Sequence, residues 1–125
     1  MTLGEIKYQV MFQTNNDADD IGDFAPHIID YINDGYDLLV NAWKRTHTEY
    51  GMVEFPRMAN DTDVPKIPEW THRALADWAT WLVYRNGNPQ KQQRGMAYRS
   101  DFERVRTRLA EEGDGEKKQF RNIPV

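Results

Sequence analysis

Apolar residues recur along this chain at spacings of three and four, interrupted by polar, glycine and proline-rich stretches. Leu3, Ile6 and Val10, continued by Gln13, lie on one helical stripe. Thr2 and Glu5 precede and overlap that stripe in the arrangement of a capping box. The pattern predicts a short helix over residues 3–13, ended by Thr14-Asn15-Asn16-Asp17. Residues 15–23 are polar and acidic and read as a loop. A long amphipathic helix is expected over residues 24–48, with Asp23 as N-cap and Pro26 in the first turn, where its missing N–H removes no bond. Its stripe is Ile28, Ile29, Ile32, Tyr36, Leu39, Val40, Trp43 and His47. Gly35 interrupts that helix at a cost of about 1 kcal/mol relative to Ala, which points to close approach by another backbone.

Residues 51–68 hold Gly51, Pro56, Pro65 and Pro68 and read as a long loop with room for a short hairpin. Loops longer than about 12–15 residues in compact domains are usually functional, and Val53, Phe55 and Met58 make this one adhesive. Pro68-Glu69 opens a third helix whose stripe is Leu75, Trp78, Ala79 and Leu82, widened by Ala74 and Trp81. Arg85-Asn86-Gly87 is a stop signal that places Gly87 in the left-handed region. Asn88-Pro89 restarts a helix at once, so the third and fourth helices are expected as an antiparallel hairpin. The fourth runs to about Glu112 with Tyr98, Phe102, Val105 and Leu109 inward. Gly113-Asp114-Gly115 stops it, and Pro124 argues against helix in the remaining tail. The expected fold is all-α: a small bundle over residues 1–112 with a long helix, a helical hairpin and a long connecting loop, followed by an extended tail over 113–125.

Composition narrows the chemistry. The 125 residues suit one domain, and 39% hydrophobic content is enough for a modest core. The mean hydropathy of -0.83 is polar for such a chain, as expected of an open, surface-rich shape or of a subunit whose fold is completed by neighbours. The chain has no cysteine, which excludes disulfides and thiolate-ligated metals. No apolar run approaches the roughly 20 residues of a membrane span, and the N-terminal residues lack the basic-then-apolar form of a secretory signal. The expected location is the cytoplasm, or an assembly built there. The net charge of -4 divides unevenly: residues 1–63 carry -8 and residues 64–125 carry +4. Such a split suits a head-to-tail contact in which an acidic face meets a basic one, and also suits two solvated faces that differ by chance.

No phosphate-binding glycine loop, nucleophile elbow or Cys/His metal pattern is present. His27, His47 and His72 are scattered and read as structural or solvent-facing. Asp30, Asp34 and Asp37 share one helix face. They suit a metal face, an acidic channel lining, or a solvated surface. All-α nucleotide pyrophosphohydrolases hold magnesium with paired carboxylates on two helices. The third helix here offers only Glu69 and Asp77, eight apart, so that enzyme class fits poorly. Lys91, Arg94, Arg99, Arg104, Arg106 and Arg108 suggest phosphate contacts, but Asp101, Glu103, Glu111 and Glu112 interrupt them. Trp43, Trp70, Trp78 and Trp81 read as core and interface residues.

The segment from Val64-Pro65-Lys66-Ile67-Pro68-Glu69-Trp70 through Ala79, continued by Leu82-Val83-Tyr84-Arg85-Asn86-Gly87-Asn88-Pro89-Gln90, resembles the head–tail connector adaptors (head-completion proteins) of tailed bacteriophages. The likeness spans residues 20–112 and is one of layout and local texture. It implies a non-enzymatic virion protein without cofactor or metal. Such a subunit would sit, with about eleven further copies, in a ring beneath the portal at the head–tail interface, after assembly in the host cytoplasm. The implied partners are the portal protein, a stopper or tail-completion protein, further copies of the chain, and genomic DNA passing through the lumen without sequence-specific binding. No membrane partner is implied. Mapped onto this sequence, Phe120, Arg121, Ile123 and Val125 would dock on the portal. Val53, Phe55, Arg57 and Met58 would face the tail. Asp30, Asp34 and Asp37 would line the lumen, and Arg99, Arg104, Arg106 and Arg108 would form a basic face between subunits. The alternatives are a small metal-dependent nucleotide hydrolase and a nucleic-acid-binding helical module.

Overall fold

The computed structural model describes residues 1–14, 25–48 and 53–112. Four α-helices account for most of them, and no strand occurs among the described residues. The fold is a small all-α bundle. The expected loop at 15–23, the Asp23 cap and the tail at 113–125 lie outside the described residues.

Helix α1 spans Leu3–Gln13. Its capping box forms as expected: the Thr2 hydroxyl accepts from the Glu5 backbone N–H at 3.1 Å, and the Glu5 carboxylate accepts from the Thr2 N–H at 3.0 Å. Those bonds hold the Glu5 carboxyl below the ordinary carboxylate range. The next two free N–H groups are satisfied by the connecting loop over residues 53–68. Leu3 donates to the Asp63 carbonyl at 2.7 Å and Gly4 to the Asp61 carbonyl at 3.0 Å. At the other end the Thr14 hydroxyl turns back onto the Val10 carbonyl at 2.9 Å.

Helix α2 spans Ile28–Thr46 and is preceded by a 3₁₀ turn, Ala25–His27. It is shorter than the 24–48 expected from sequence. Pro26 stands in the tighter turn rather than in the α-helix, and no side chain caps the start at Ile28. Lys44 and Arg45 lie in its last turn, where cations complement the helix dipole. Gly35 does mark a close approach, but to a side chain. A Cβ added there would lie 3.1–3.2 Å from three atoms of Trp78.

Residues 53–68 form no helix or strand, so the hairpin that the sequence left room for is absent from them. A 3₁₀ turn, Glu69–Thr71, leads into α3 at His72–Tyr84. Helix α4 spans Pro89–Glu112. The turn between them is as short as expected, with Asn88 Oδ1 accepting the Lys91 N–H at 2.9 Å as a helix cap. Gly87 is not in the left-handed region. It is required for space, because a Cβ there would lie 2.8 Å from Lys91 Cβ.

Helix α3 is central. It packs against α1, α2 and α4, while α2 and α4 also pack on each other. Helix α1 rests mainly on α3, with a smaller contact to α2. Leu75, Ala76 and Ala79 of α3 meet Leu3, Ile6 and Val10 of α1, Ile32, Tyr36 and Leu39 of α2, and Phe102 and Leu109 of α4 in one core. These residues lie on the stripes that period-3.6 spacing predicts, except Ala76, which falls off the expected Leu75/Trp78/Ala79/Leu82 stripe and is buried because α3 is covered by three helices, while Trp78 and Trp81 are half-buried.

Candidate interaction surfaces

The loop over residues 53–68 is irregular but tightly tied. The Asn33 side chain on α2 grips the Met58 backbone from both sides, donating to its carbonyl at 3.0 Å and accepting its N–H at 2.9 Å. The Tyr36 hydroxyl accepts the Lys66 N–H at 2.9 Å, and burial pushes the Tyr36 phenol up. Phe55 lies edge-on to Tyr36 and Trp43, with the Lys44 ammonium 5.2 Å above its ring. Asp63 Oδ2 accepts the N–H groups of Ala59 and Asn60, both at 2.8 Å, which depress its carboxyl. Val53, Arg57 and Val64 remain exposed on this frame. Met58 is 3% exposed and Phe55 half-buried, so Met58 serves the core of its own subunit rather than a partner.

Asp30, Asp34 and Asp37 stand exposed on one face of α2, as their spacing requires. Partial burial, then the charges of Asp37 and Asp30, raise the Asp34 carboxyl. Arg57 reaches across from the loop to form an ion pair with Asp30. Two sets of residues picked separately from the sequence therefore meet. Among the described residues no group of three His, Asp or Glu side chains could hold a metal ion.

The arginines of α4 do not form one surface. Arg104 and Arg108, four apart, share one flank; Arg99 and Arg106, seven apart, share the other. Arg99 lies 5.4 Å over Trp81 and Arg108 lies 4.5 Å over Trp70. Arg104 and Arg106 approach Asp101 and Glu103, each at 3.6 Å. Between the flanks runs an outermost row, Met96, Ser100, Glu103, Thr107 and Glu111, that mixes apolar, polar and acidic side chains.

Sequence reading missed two features. The first is the outer face of α1, where Tyr8 is 73%, Phe12 65% and Met11 38% exposed. This helix is apolar on both sides, so assigning its inner stripe left the outer residues unremarked. The second is a buried polar cluster. Gln13 Nε2 donates to Asp77 Oδ1 at 2.9 Å, and the Thr80 hydroxyl donates to Gln13 Oε1 at 2.7 Å. Burial pushes the Asp77 carboxyl up to about 6, with a smaller contribution from Asp101, against the Gln13 hydrogen bond and Arg73. The signal was present as Gln13 on an apolar stripe. His72 is also buried, with Nε2 2.8 Å from the Ile67 carbonyl and Nδ1 2.8 Å from the Met1 amino nitrogen; burial lowers its pKa. No helix among the described residues is long and apolar enough to cross a membrane. The chain matches no family model, no curated protein and no solved structure.

Proposed function

We propose that this chain is a structural assembly subunit, and that it serves as the head–tail connector adaptor of a tailed bacteriophage, forming a ring beneath the portal. The observation that carries this reading is the loop over residues 53–68. A long irregular segment is held in place by Asn33, Tyr36 and the start of α1 while Val53, Arg57 and Val64 stay exposed. Ordering so much chain costs conformational entropy. A helical scaffold that bears this cost and leaves apolar and charged side chains outward is built to present a contact surface. In a connector that surface would meet the next ring toward the tail. Residues 113–125, with Phe120, Arg121, Ile123 and Val125, would reach the portal. The Asp30, Asp34 and Asp37 face would line the lumen, where carboxylates repel DNA phosphates and keep the passage free of adhesion.

The test is retention of the chain on portal particles from its own source, full-length against a version ending at Gly113. Retention of the full-length chain alone is expected. The combined variant Val53→Asp with Val64→Asp should still bind portal but fail to recruit the next tail component. Failure of the full-length chain to bind portal would overturn the reading.

A further inference from the structure

Helix α1 is fastened to the rest of the bundle by different chemistry at its two ends. At the N-terminal end the bonds go to the connecting loop. Leu3 and Gly4 donate to the Asp63 and Asp61 carbonyls, and Lys7 Nζ lies 2.9 Å from Asp61 Oδ1. Along the middle, Ile6 and Val10 are fully buried and hold α3 by apolar contact. At the C-terminal end Gln13, 8% exposed, is the one polar member of the buried α1 stripe. Its amide joins α3 twice, donating to Asp77 Oδ1 and accepting from the Thr80 hydroxyl.

The surroundings of Asp77 suit a neutral carboxyl. Among the described residues Gln13 is its one hydrogen-bond partner, and it makes no ion pair there. The charges that act on it are Arg73, one turn earlier on α3, and Asp101 of α4, and they oppose each other. Tyr98 of α4 faces the same carboxyl; burial, then Tyr84 and Asp77, push its phenol up. Helix α2 meets α3 at Gly35 and Trp78, and among the described residues it sets no charge against Asp77. A carboxylate with one hydrogen bond and 9% exposure is poorly solvated. Lifting the C-terminal end of α1 takes Gln13 away and admits water to the carboxyl. Closed α1 therefore holds the Asp77 proton more tightly than open α1 does. By linkage, that contribution to closure is complete below the ordinary carboxylate range and is lost as pH rises through about 6.

We propose that α1 is a proton-controlled strap, which pivots on its N-terminal bonds to the loop and whose C-terminal end is released from α3 when Asp77 ionises. The two bonds of Leu3 and Gly4 at the pivot join backbone groups and carry no titrating proton, so the two ends respond differently to pH. This device does not depend on the adaptor reading.

The experiment is native-state hydrogen exchange on the full chain at about pH 5 and about pH 7.5, with each rate divided by the intrinsic rate at that pH. The carboxyl sits near 6 when the strap is closed and returns to its ordinary range when it opens. The opening constant of residues 10–14 is therefore expected to rise about tenfold between the two conditions. The Leu3 and Gly4 amides are expected to keep their protection in both. Asp77→Asn should remove the rise. Gln13→Glu sets a second carboxyl against the first, and the two cannot both ionise while the strap is closed, so the rise should steepen. Circular dichroism checks that both variants remain helical. An opening constant at residues 10–14 that does not change with pH, or a rise that survives Asp77→Asn, would overturn the proposal. So would a folded Gln13→Glu chain with the wild-type dependence. Leu3 and Gly4 exchanging in step with residues 10–14 would remove the pivot, and exchange of residues 10–14 in step with α3 would mean that the strap opens only with the whole bundle; either result overturns it.

Discussion

Asp77 shows how much one buried carboxyl can weigh in a small bundle. It is 9% exposed and accepts a hydrogen bond from Gln13. Burial is the largest influence on it and lifts its pKa from 3.8 to about 6. The folded chain therefore holds this proton more tightly than the unfolded chain does. The contribution of Asp77 to stability is greatest below its unfolded value and falls as pH rises through 6. At one pKa unit per 1.36 kcal/mol, the loss by neutral pH is on the order of 3 kcal/mol. Asp77→Asn keeps an oxygen facing the Gln13 amide and cannot ionise. It is expected to have little effect at pH 4 and to be more stable than the wild type at pH 7, by about 2–3 kcal/mol in urea denaturation. Equal stability differences at the two pH values would show that the carboxyl does not titrate in this window.

At the scale of elements, α3 is met by two close glycine contacts that differ in hardness, Gly35 of α2 and Gly95 of α4. A Cβ on Gly35 would lie 3.1 Å from Trp78 Cδ1 and 3.2 Å from Trp78 Cβ, a tight contact that a shift of a few tenths of an ångström relieves. A Cβ on Gly95 would lie 2.9 Å from Tyr84 Cβ and 3.0 Å from Trp81 Cε3. Tyr84 Cβ is fixed to its backbone, so α4 itself must move. Both substitutions gain about 1 kcal/mol of helix propensity, while overpacking costs about 1–3 kcal/mol. Gly35→Ala is expected near neutral, and Gly95→Ala is expected to lower stability by about 1–2 kcal/mol, read as a fall in thermal midpoint. These elements were legible because their signals are local. The Thr2–Glu5 box, the three- and four-residue stripes and Asn88-Pro89 each specify a boundary by short-range bonding. The start of α2 was misplaced because Pro26 suits both a 3₁₀ turn and an α-helix. The Asn33 grip on Met58 and the Gln13–Asp77 bond join residues 25 and 64 positions apart. No periodicity reports such pairs. The four arginines were read as one face from their density, and helical geometry divides them.

Across the whole molecule, the layering sets an order in which parts should open. Helix α3 is covered by three helices, and Leu75, Ala76 and Ala79 are fully buried. Its amides can exchange only when the bundle opens. Helix α1 is eleven residues long and covers one side of α3. Isolated helices of that length are marginal in water, so α1 depends on its packing, its capping box and the Gln13 bond. Local opening of α1 would expose Leu3, Ile6 and Val10 while leaving the contacts among α2, α3 and α4 intact. Native-state hydrogen exchange is therefore expected to place α3 at the global unfolding free energy and α1 measurably below it. Gln13→Ala sharpens the test, because it removes the buried bond to Asp77 and the acceptor of Thr80 together. It should lower protection across α1 by about tenfold or more, as expected for losing one or two buried hydrogen bonds, with smaller changes in α2 and α4. Equal protection of α1 and α3 in the wild type would make all four helices one cooperative unit.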